Sequence, residues 1–216
     1  MLVRVINPNS TVSCTEALSR AAEPFRAADM TIECETVHEG PESISSMTDY
    51  ALAQSSVVQY LAHQQKPANA LVIACFSDPS LSAAKEIVRC PCFGLGEAGI
   101  LAAMQRGMSF GIIALSEASV ERQRRRISEL GLSGRYAGSR PVSLSVPELA
   151  DTKRTVEAMV EAGDILKSRD NADAIIMGCA GMAGYRQTIE DRLQIPVIEP
   201  GQAAVAVATT AARQGW

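Results

Sequence analysis

ALVIACFSDPSL, residues 70–81, is an apolar and β-branched run that stops at Cys75 and continues into a polar loop. AIIMGCAGMAG, residues 174–184, follows the same plan and stops at Cys179. Runs of this length and composition are typical of buried strands in parallel sheets. The two stretches therefore predict two buried strands, each with a thiol just beyond its carboxyl end.

The spacing of the two stretches indicates an internal duplication. Cys75 and Cys179 are 104 residues apart, and Pro91 and Pro196, which precede a further short strand in each half, are 105 residues apart. A nearly constant offset at two separate landmarks favours a repeated unit of about a hundred residues. Strand patterns alternate with helix-length segments in both halves, and these segments include helices predicted over 47–65 and 183–193. The alternation predicts parallel sheets with helices on both faces.

Polar loops coincide with the predicted strand ends. In open α/β sheets, ligands bind beyond the carboxyl ends of the strands. The loops that contain Asn9, Ser43–Ile44, Cys75, Ser116 and Cys179 all fall at such ends. We therefore expect the functional residues to come from these loops.

Composition limits the class of protein. The chain has 216 residues, of which 47% are hydrophobic and 4% aromatic, and its formal net charge is −4. This charge gives no reason to bind nucleic acid or an anionic membrane surface, and no apolar run approaches the roughly 20 residues of a membrane span. The N-terminus enters a strand pattern without the cleavage site of a signal peptide. We expect a cytoplasmic protein that acts on a small molecule.

The six cysteines are expected to be reduced thiols, as is usual in the cytoplasm. Their spacings contain no C-x-x-C pair, and His38 and His63 are the two histidines that could complete a zinc site. The sequence therefore predicts no metal, and it disfavours a Cys–His or Ser–His mechanism. We assign the cysteines other than Cys75 and Cys179 to packing; they are Cys14, Cys34, Cys90 and Cys92.

Cys75 and Cys179 are the candidate catalytic residues. Ser77–Asp78–Pro79 is typical of a helix start and predicts a helix over 79–88, with Cys75 close to its N-terminus, where the pKa of a thiol is lowered. Small residues follow Cys179, so backbone N–H groups can approach a ligand. A thiolate and a thiol on opposite sides of a carbon acid are what a cofactor-free racemase needs. The alternative is that both cysteines are core residues and that Asp78 is a helix cap.

Three stretches resemble the signatures of the hydantoin and allantoin racemases, within the aspartate/glutamate racemase superfamily. They are VINPNST (5–11), IACFSDP (73–79) and MGCAGMA (177–183), and the similarity spans essentially the whole chain. The resemblance implies two pseudo-symmetric α/β lobes, each a four-stranded parallel sheet flanked by helices, with the active site in the cleft between them. We place the lobes at 1–96 plus 200–216 and at 97–199.

The resemblance also implies the chemistry. It implies proton transfer at C5 of a five-membered cyclic ureide, without a cofactor, by the pair Cys75 and Cys179. We also expect a homo-oligomer, although the sequence does not specify the number of subunits. The positions expected to line the substrate are Asn9, Ser43, Ile44, Phe76, Ala180 and Gly181.

The chain departs from the family pattern at several of these loops. Ser77 and Ser80 stand where glycines are more common, and these serines could narrow the pocket or supply an extra hydroxyl group. The family often has a threonine pair where this chain has Ala–Leu at 114–115, followed by Ser116. Glu199 stands where an aspartate is common. We include Ser77 and Ser116 among the candidate substrate-binding residues.

Three alternatives remain at this stage. Within the superfamily, an arylmalonate-type decarboxylase or a maleate cis–trans isomerase would use the same lobes. The decarboxylases resemble this chain less, because they typically retain a thiol on one wall only. From a different class, the protein could be a non-catalytic binder of small molecules.

Overall fold

The computed structural model describes residues 1–63, 66–145 and 147–216 of the chain. Contacts divide the chain into two compact units, Met1–Ala98 with Gly201–Trp216, and Gly99–Pro200. Within these described residues, no helix has both the length and the apolar character needed to cross a membrane.

Strands and helices alternate along both halves of the chain. The strands are β1 (Leu2–Asn7), β2 (Thr31–Thr36), β3 (Ala70–Ile73), β4 (Cys92–Gly94), β5 (Phe110–Ala114), β6 (Tyr136–Pro141), β7 (Ala174–Met177) and β8 (Val197–Ile198). The helices are α1 (Val12–Ala22), α2 (Met47–His63), α3 (Leu81–Ile87), α4 (Leu95–Met104), α5 (Glu117–Glu129), α6 (Thr152–Ser168), α7 (Arg186–Leu193) and α8 (Pro200–Gln214). Short 3-10 helices lie at Glu23–Phe25, Ser133–Arg135, Pro147–Ala150 and Ala180–Tyr185.

Each half of the strand series forms one four-stranded parallel sheet. The order is β2-β1-β3-β4 in the first and β6-β5-β7-β8 in the second. The two sheets therefore share one topology, as the duplication predicts. The predicted fold class, two parallel sheets flanked by helices, is confirmed.

The central strands are buried because their runs are apolar on both faces. All four residues of β3 and all four of β7 are buried. In the first unit, Ile6 and Ile73 pack with Val57 of α2. In the second, Ile113 and Met177 pack with Met159 of α6. These cores fix the strands whose carboxyl ends carry the candidate residues.

Two predicted helix starts are wrong. The helix predicted over 79–88 begins at Leu81, and the one predicted over 183–193 begins at Arg186, after a 3-10 helix. The reason in the first case is that Asp78 and Ser80 adopt left-handed backbone conformations, with φ of 48° and 64°. Such residues interrupt a right-handed helix. The helix predicted over 47–65 ends at His63, and residues 64 and 65 lie outside the described residues.

Candidate active site

The loops at the carboxyl edge of the first sheet carry six of the candidate residues. β2, β1 and β3 are neighbours in that sheet. The loop after β1 contains Asn9, the loop after β2 contains Ser43 and Ile44, and the turn after β3 contains Cys75, Phe76 and Ser77. Because parallel strands end at one edge, the structure brings these loops together within the first unit.

Two hydrogen bonds connect the loop after β1 to the loop after β2. The backbone N–H of Ser10 donates to the Pro41 carbonyl at 3.0 Å. The hydroxyl of Thr11 donates to the Glu42 carbonyl at 2.7 Å. These bonds fix the backbone immediately before Ser43 and Ile44, both of which are half-buried.

Cys75 lies in a tight turn directly after β3. The Ala74 N–H donates to the Ile6 carbonyl of β1 at 2.8 Å, and the Asp78 N–H donates to the Cys75 carbonyl at 2.9 Å. Phe76 is buried, whereas Cys75 and Ser77 are half-buried. The next helix, α3, begins at Leu81, six positions after Cys75, so a lowered pKa of the Cys75 thiol near that N-terminus stays a prediction.

Asp78 holds this turn against a different helix. Its two carboxylate oxygens accept hydrogen bonds from the backbone N–H groups of Gly96 and Glu97, each at 2.8 Å. These donors lie in the first turn of α4, whose N–H groups have no partner within the helix. Asp78 is therefore a helix cap, as one interpretation of the sequence proposed, but the helix that it caps is α4.

Two glycines make this contact possible, and sequence reasoning did not identify them. A Cβ atom on Gly94 would overlap the carboxylate of Asp78, and one on Gly96 would overlap the carbonyl oxygen of Phe76. The available signal was the pattern FGLG at 93–96, a glycine pair at the end of a strand.

In the second unit, Cys179 is also placed by backbone hydrogen bonds at the end of a strand. The Gly178 N–H donates to the Ile113 carbonyl at 2.8 Å, and the Met182 N–H donates to the Cys179 carbonyl at 3.0 Å. Ala180 and Gly181 open the 3-10 helix that follows. A Cβ on Gly181 would lie 3.7 Å from the Cys179 sulfur, so this glycine lies beside the thiol.

Gln123 packs against the backbone before Cys179, and no sequence pattern indicates this role. Gln123 is buried on α5, and its Oε1 accepts a hydrogen bond from the Ser139 hydroxyl at 2.6 Å. A Cβ on Gly178 would be 2.7 Å from Gln123 Nε2 and 2.7 Å from the Ile113 carbonyl oxygen. Residue 178 must therefore be glycine for this packing to form.

The strand registers place the candidate residues at equivalent positions in the two units. Ile6 pairs with Ile73 in the first sheet, and Ile113 pairs with Met177 in the second. Cys75 lies two positions after Ile73, and Cys179 lies two positions after Met177. Asn9 lies three positions after Ile6, and Ser116 lies three positions after Ile113.

Ser116 has a local partner as well as this equivalent position. It is the N-cap of α5, and its Oγ accepts a hydrogen bond from the Ser119 N–H at 3.3 Å. Its hydroxyl group is therefore held at the carboxyl edge of the second sheet, in the place that corresponds to Asn9.

The remaining cysteines lie in less reactive surroundings. Burial raises the pKa of Cys34 to about 11 and that of Cys92 to about 12. Burial also raises the pKa of Cys14 and of Cys90. A raised pKa keeps a thiol protonated and weakly nucleophilic at neutral pH, which agrees with their assignment to packing.

Comparisons with known proteins agree with this arrangement. A family model described as Asp/Glu/Hydantoin racemase matches residues 3–208. A hydantoin racemase from Paenarthrobacter aurescens is 33% identical over all of this chain and 93% of its own length. The crystal structure of an allantoin racemase from Pseudomonas fluorescens superimposes with a TM-score of 0.95 at 28% identity, covering all of this chain and 92% of the other.

A more distant likeness concerns the fold alone. The crystal structure of arylmalonate decarboxylase has a TM-score of 0.71 at 19% identity, and the likeness covers all of this chain and 94% of the other. The match over residues 3–208 and the 33% identity, by contrast, establish membership of a family of enzymes. The chain therefore belongs to the Asp/Glu/Hydantoin racemase family, and it is an isomerase of the racemase class.

Proposed function

We propose that this protein racemises a hydantoin-type cyclic ureide at C5, the substrate being a 5-substituted hydantoin or allantoin. The observation that carries the proposal is that the two thiols occupy equivalent positions in the two sheets. Cys75 lies two residues after the last residue of β3, and Cys179 lies two residues after the last residue of β7. Support for the substrate class comes from the hydantoin racemase and the allantoin racemase to which the chain is similar.

We further propose that Cys75 and Cys179 are the two bases. One thiolate removes the C5 proton, and the electron pair of that C–H bond moves into an enolate on the adjacent carbonyl. The other thiol then gives its proton to the opposite face of C5, so the product is the mirror-image ureide and the two sulfurs have exchanged protonation states. The mechanism requires the two units to act as lobes that present their thiols to opposite faces of one ring.

Backbone donors would stabilise the enolate. The residues after each cysteine, Phe76–Ser77 and Ala180–Gly181, lie in turns whose N–H groups are candidates for this role. Donors placed in advance at a developing negative charge are among the largest contributions to catalysis. C5 lies between a carbonyl group and a ring nitrogen, so its proton is already acidic. The protein then needs to supply only the bases and the hydrogen-bond donors, and the proposal includes no cofactor.

The test follows proton exchange and optical rotation together. One enantiomer of 5-benzylhydantoin, 5-isopropylhydantoin or allantoin is incubated with the protein in deuterated water. Loss of rotation should accompany deuterium uptake at C5, measured by proton NMR. Cys75→Ser and Cys179→Ser should each lower the racemisation rate by about 10²–10⁴-fold, while each retains at most exchange of a single enantiomer.

Cys90→Ser is the matched control, because Cys90 is a half-buried thiol packed against the core of the first unit. It should racemise at the wild-type rate. Wild-type racemisation by either catalytic variant would contradict the two-base mechanism. Absence of turnover of all three ureides by the wild-type protein would contradict the substrate class.

The arylmalonate-type decarboxylase that the sequence left open shares this fold, and a shared fold by itself does not favour its activity. Release of carbon dioxide from an arylmalonate by the purified protein would support it. A homo-oligomer stays a prediction, which light scattering after size-exclusion chromatography would test.

A further inference from the structure

Two asparagines in the loop after β1 are hydrogen-bonded side chain to side chain. Asn7, at the end of β1, is 1% exposed, whereas Asn9 is half-buried. The Nδ2 of Asn7 donates to the Oδ1 of Asn9 at 3.2 Å. This pair determines which end of the Asn9 amide remains for a ligand.

Backbone groups fix the orientation of the Asn7 amide. Its Oδ1 accepts a hydrogen bond from the Asn9 N–H at 3.2 Å, and its Nδ2 donates to the Thr11 carbonyl at 3.2 Å. A backbone N–H can only donate and a carbonyl can only accept, so turning the amide by 180° would break both bonds. Nδ2 is also 3.0 Å from the hydroxyl of Thr15, which bonds in turn to Thr36 at 2.6 Å.

The orientation of Asn9 follows from the same reasoning. Its Oδ1 accepts from the Thr11 N–H at 2.9 Å and from Asn7 Nδ2. Both acceptor positions of that oxygen are therefore used, and the Nδ2 group is the part of the side chain that still offers N–H bonds. Burial raises the pKa of the Cys14 thiol, and a side-chain hydrogen bond from Asn9 lowers it by less. One N–H bond of Nδ2 therefore serves Cys14, and the other is left for a ligand.

We propose that Asn7 is a positioning residue that turns Asn9 so that Asn9 donates a hydrogen bond to the substrate. The ligand group that fits is an acceptor, and for a cyclic ureide it is a ring carbonyl oxygen that gains negative charge as the enolate forms. The identity of the substrate rests on the proposed function, whereas the orientation of Asn9 rests on the bonds around Asn7.

Two substitutions to aspartate test the proposal. Asn9→Asp has the same shape but no N–H, and it should lower kcat by about a hundredfold, as removal of one oxyanion donor does. Asn7→Asp places a carboxylate against the Asn9 oxygen and the Thr11 carbonyl. It should lower kcat/KM about tenfold at pH 8, the size of effect expected for one lost hydrogen bond to a charged group.

The pH dependence distinguishes positioning from a loss of structure. When the introduced carboxyl of Asn7→Asp is protonated, its O–H can donate to Asn9 as the amide did. The ratio of variant to wild-type kcat/KM should therefore rise as the pH falls. Thr36→Val is the control, because the Thr36 hydroxyl is hydrogen-bonded to Thr15 and not to Asn9. Its ratio of variant to wild-type kcat/KM should not change with pH.

A binding measurement separates this inference from the proposed function. In a ¹⁵N–¹H spectrum of the wild-type protein, the Asn9 side-chain signals are the pair missing from Asn9→Asp. That pair should shift in Asn7→Asp and should stay in place in Thr36→Val. The Asn9 pair of signals should also shift in the wild-type protein when a 5-substituted hydantoin is added. This measurement uses the wild-type protein alone, so it stands even where Asn7→Asp does not fold.

The possible outcomes are distinct. Wild-type kcat in Asn9→Asp, a pH-independent ratio in Asn7→Asp, or unmoved Asn9 signals in Asn7→Asp would each overturn the inference. If the wild-type protein turns over none of the ureides, the proposed function fails, while the Asn9 signals of Asn7→Asp still decide whether Asn7 orients Asn9.

Discussion

The carboxylate of Asp78 accepts a hydrogen bond from the backbone N–H of Gly96 at 2.8 Å, across 18 positions of sequence. A second bond, from Glu97, completes the cap of α4. The turn that carries Cys75 is thereby attached to the start of α4, the helix that follows β4. The two hydrogen bonds offset the conformational free energy of Asp78 and Ser80, whose left-handed backbones cost about 1–2 kcal/mol each.

We expect Asp78→Asn to lower both stability and activity. An amide nitrogen cannot accept a hydrogen bond from a backbone N–H, so one donor of α4 loses its partner, at a cost of about 1–2 kcal/mol. The turn should then hold Cys75 less firmly, and kcat for racemisation should fall about tenfold, as misplaced catalytic groups cause. Urea unfolding and polarimetry measure the two effects.

Asp151→Asn is the control for this prediction. Asp151 is the N-cap of α6 and accepts one hydrogen bond, from the Arg154 N–H. Asparagine caps helices as well as aspartate does, so stability and kcat should stay near their wild-type values. An Asp78→Asn protein with wild-type kcat would show that the cap does not position Cys75.

Gly96→Ala should displace the Cys75 turn. Its Cβ would overlap the carbonyl oxygen of Phe76, which is backbone and cannot rotate away. The variant should lose about 1–3 kcal/mol of stability, as overpacked sites do, and its kcat should fall more than that of Gly134→Ala. Gly134 has no atom within 4 Å of an added Cβ, so Gly134→Ala should match the wild type by thermal unfolding and by polarimetry. Equal kcat values for the two variants would contradict the prediction.

Thiol alkylation should discriminate among the cysteines. With iodoacetamide at pH 8, Cys34 and Cys92 should remain unlabelled in the folded protein, because burial raises their pKa values to about 11 and about 12. The thiolate is the reactive species, so these thiols should react only after unfolding in urea. Peptide mass spectrometry gives the labelling rate of each cysteine. Labelling of folded Cys92 at the rate of the unfolded chain would show that the thiol is accessible and ionised.

The ion pair of Arg4 and Glu35 should contribute to stability in a pH-dependent way. Arg4 is 2% exposed and contacts both oxygens of Glu35, at 2.7 and 2.8 Å, while the Tyr60 hydroxyl also donates to that carboxylate. The hydrogen bond from Arg4 lowers the pKa of Glu35. Glu35→Gln leaves a buried guanidinium without its counter-charge, and it should cost about 3–5 kcal/mol at pH 7.

The sign of the pH effect follows from the lowered pKa of Glu35. The contribution of the pair is present above the pKa of an unfolded glutamate and is lost as the pH falls through the folded value. The difference in urea midpoint between wild type and Glu35→Gln should therefore shrink below about pH 4. Glu121→Gln, which removes an exposed partner of Arg124 and Arg125, should leave the midpoint unchanged. A difference that does not vary with pH would show that the Glu35 charge is not what stabilises the fold.

Much of the fold could be predicted from local pattern. The apolar runs that end at Cys75 and Cys179 are strands because β-branched residues without polar interruption suit a strand buried on both faces. The offset between the two cysteines indicated a duplication, and the two sheets do share one strand order. The same runs placed both thiols just beyond strand ends, although their role in catalysis stays a proposal.

Residues close together in the chain are therefore enough to indicate the strands, their alternation with helices, and the equivalent places of two cysteines, because each of these depends on neighbours in the sequence. The folded chain was needed to show that Asp78 caps α4 and not α3, that Gly94 and Gly96 leave room for it, and that the Asn7 side chain donates a hydrogen bond to Asn9. These features depend on hydrogen bonds and steric contacts between separate loops, and their partners are set by how the strands are ordered in the sheet, which local patterns do not encode.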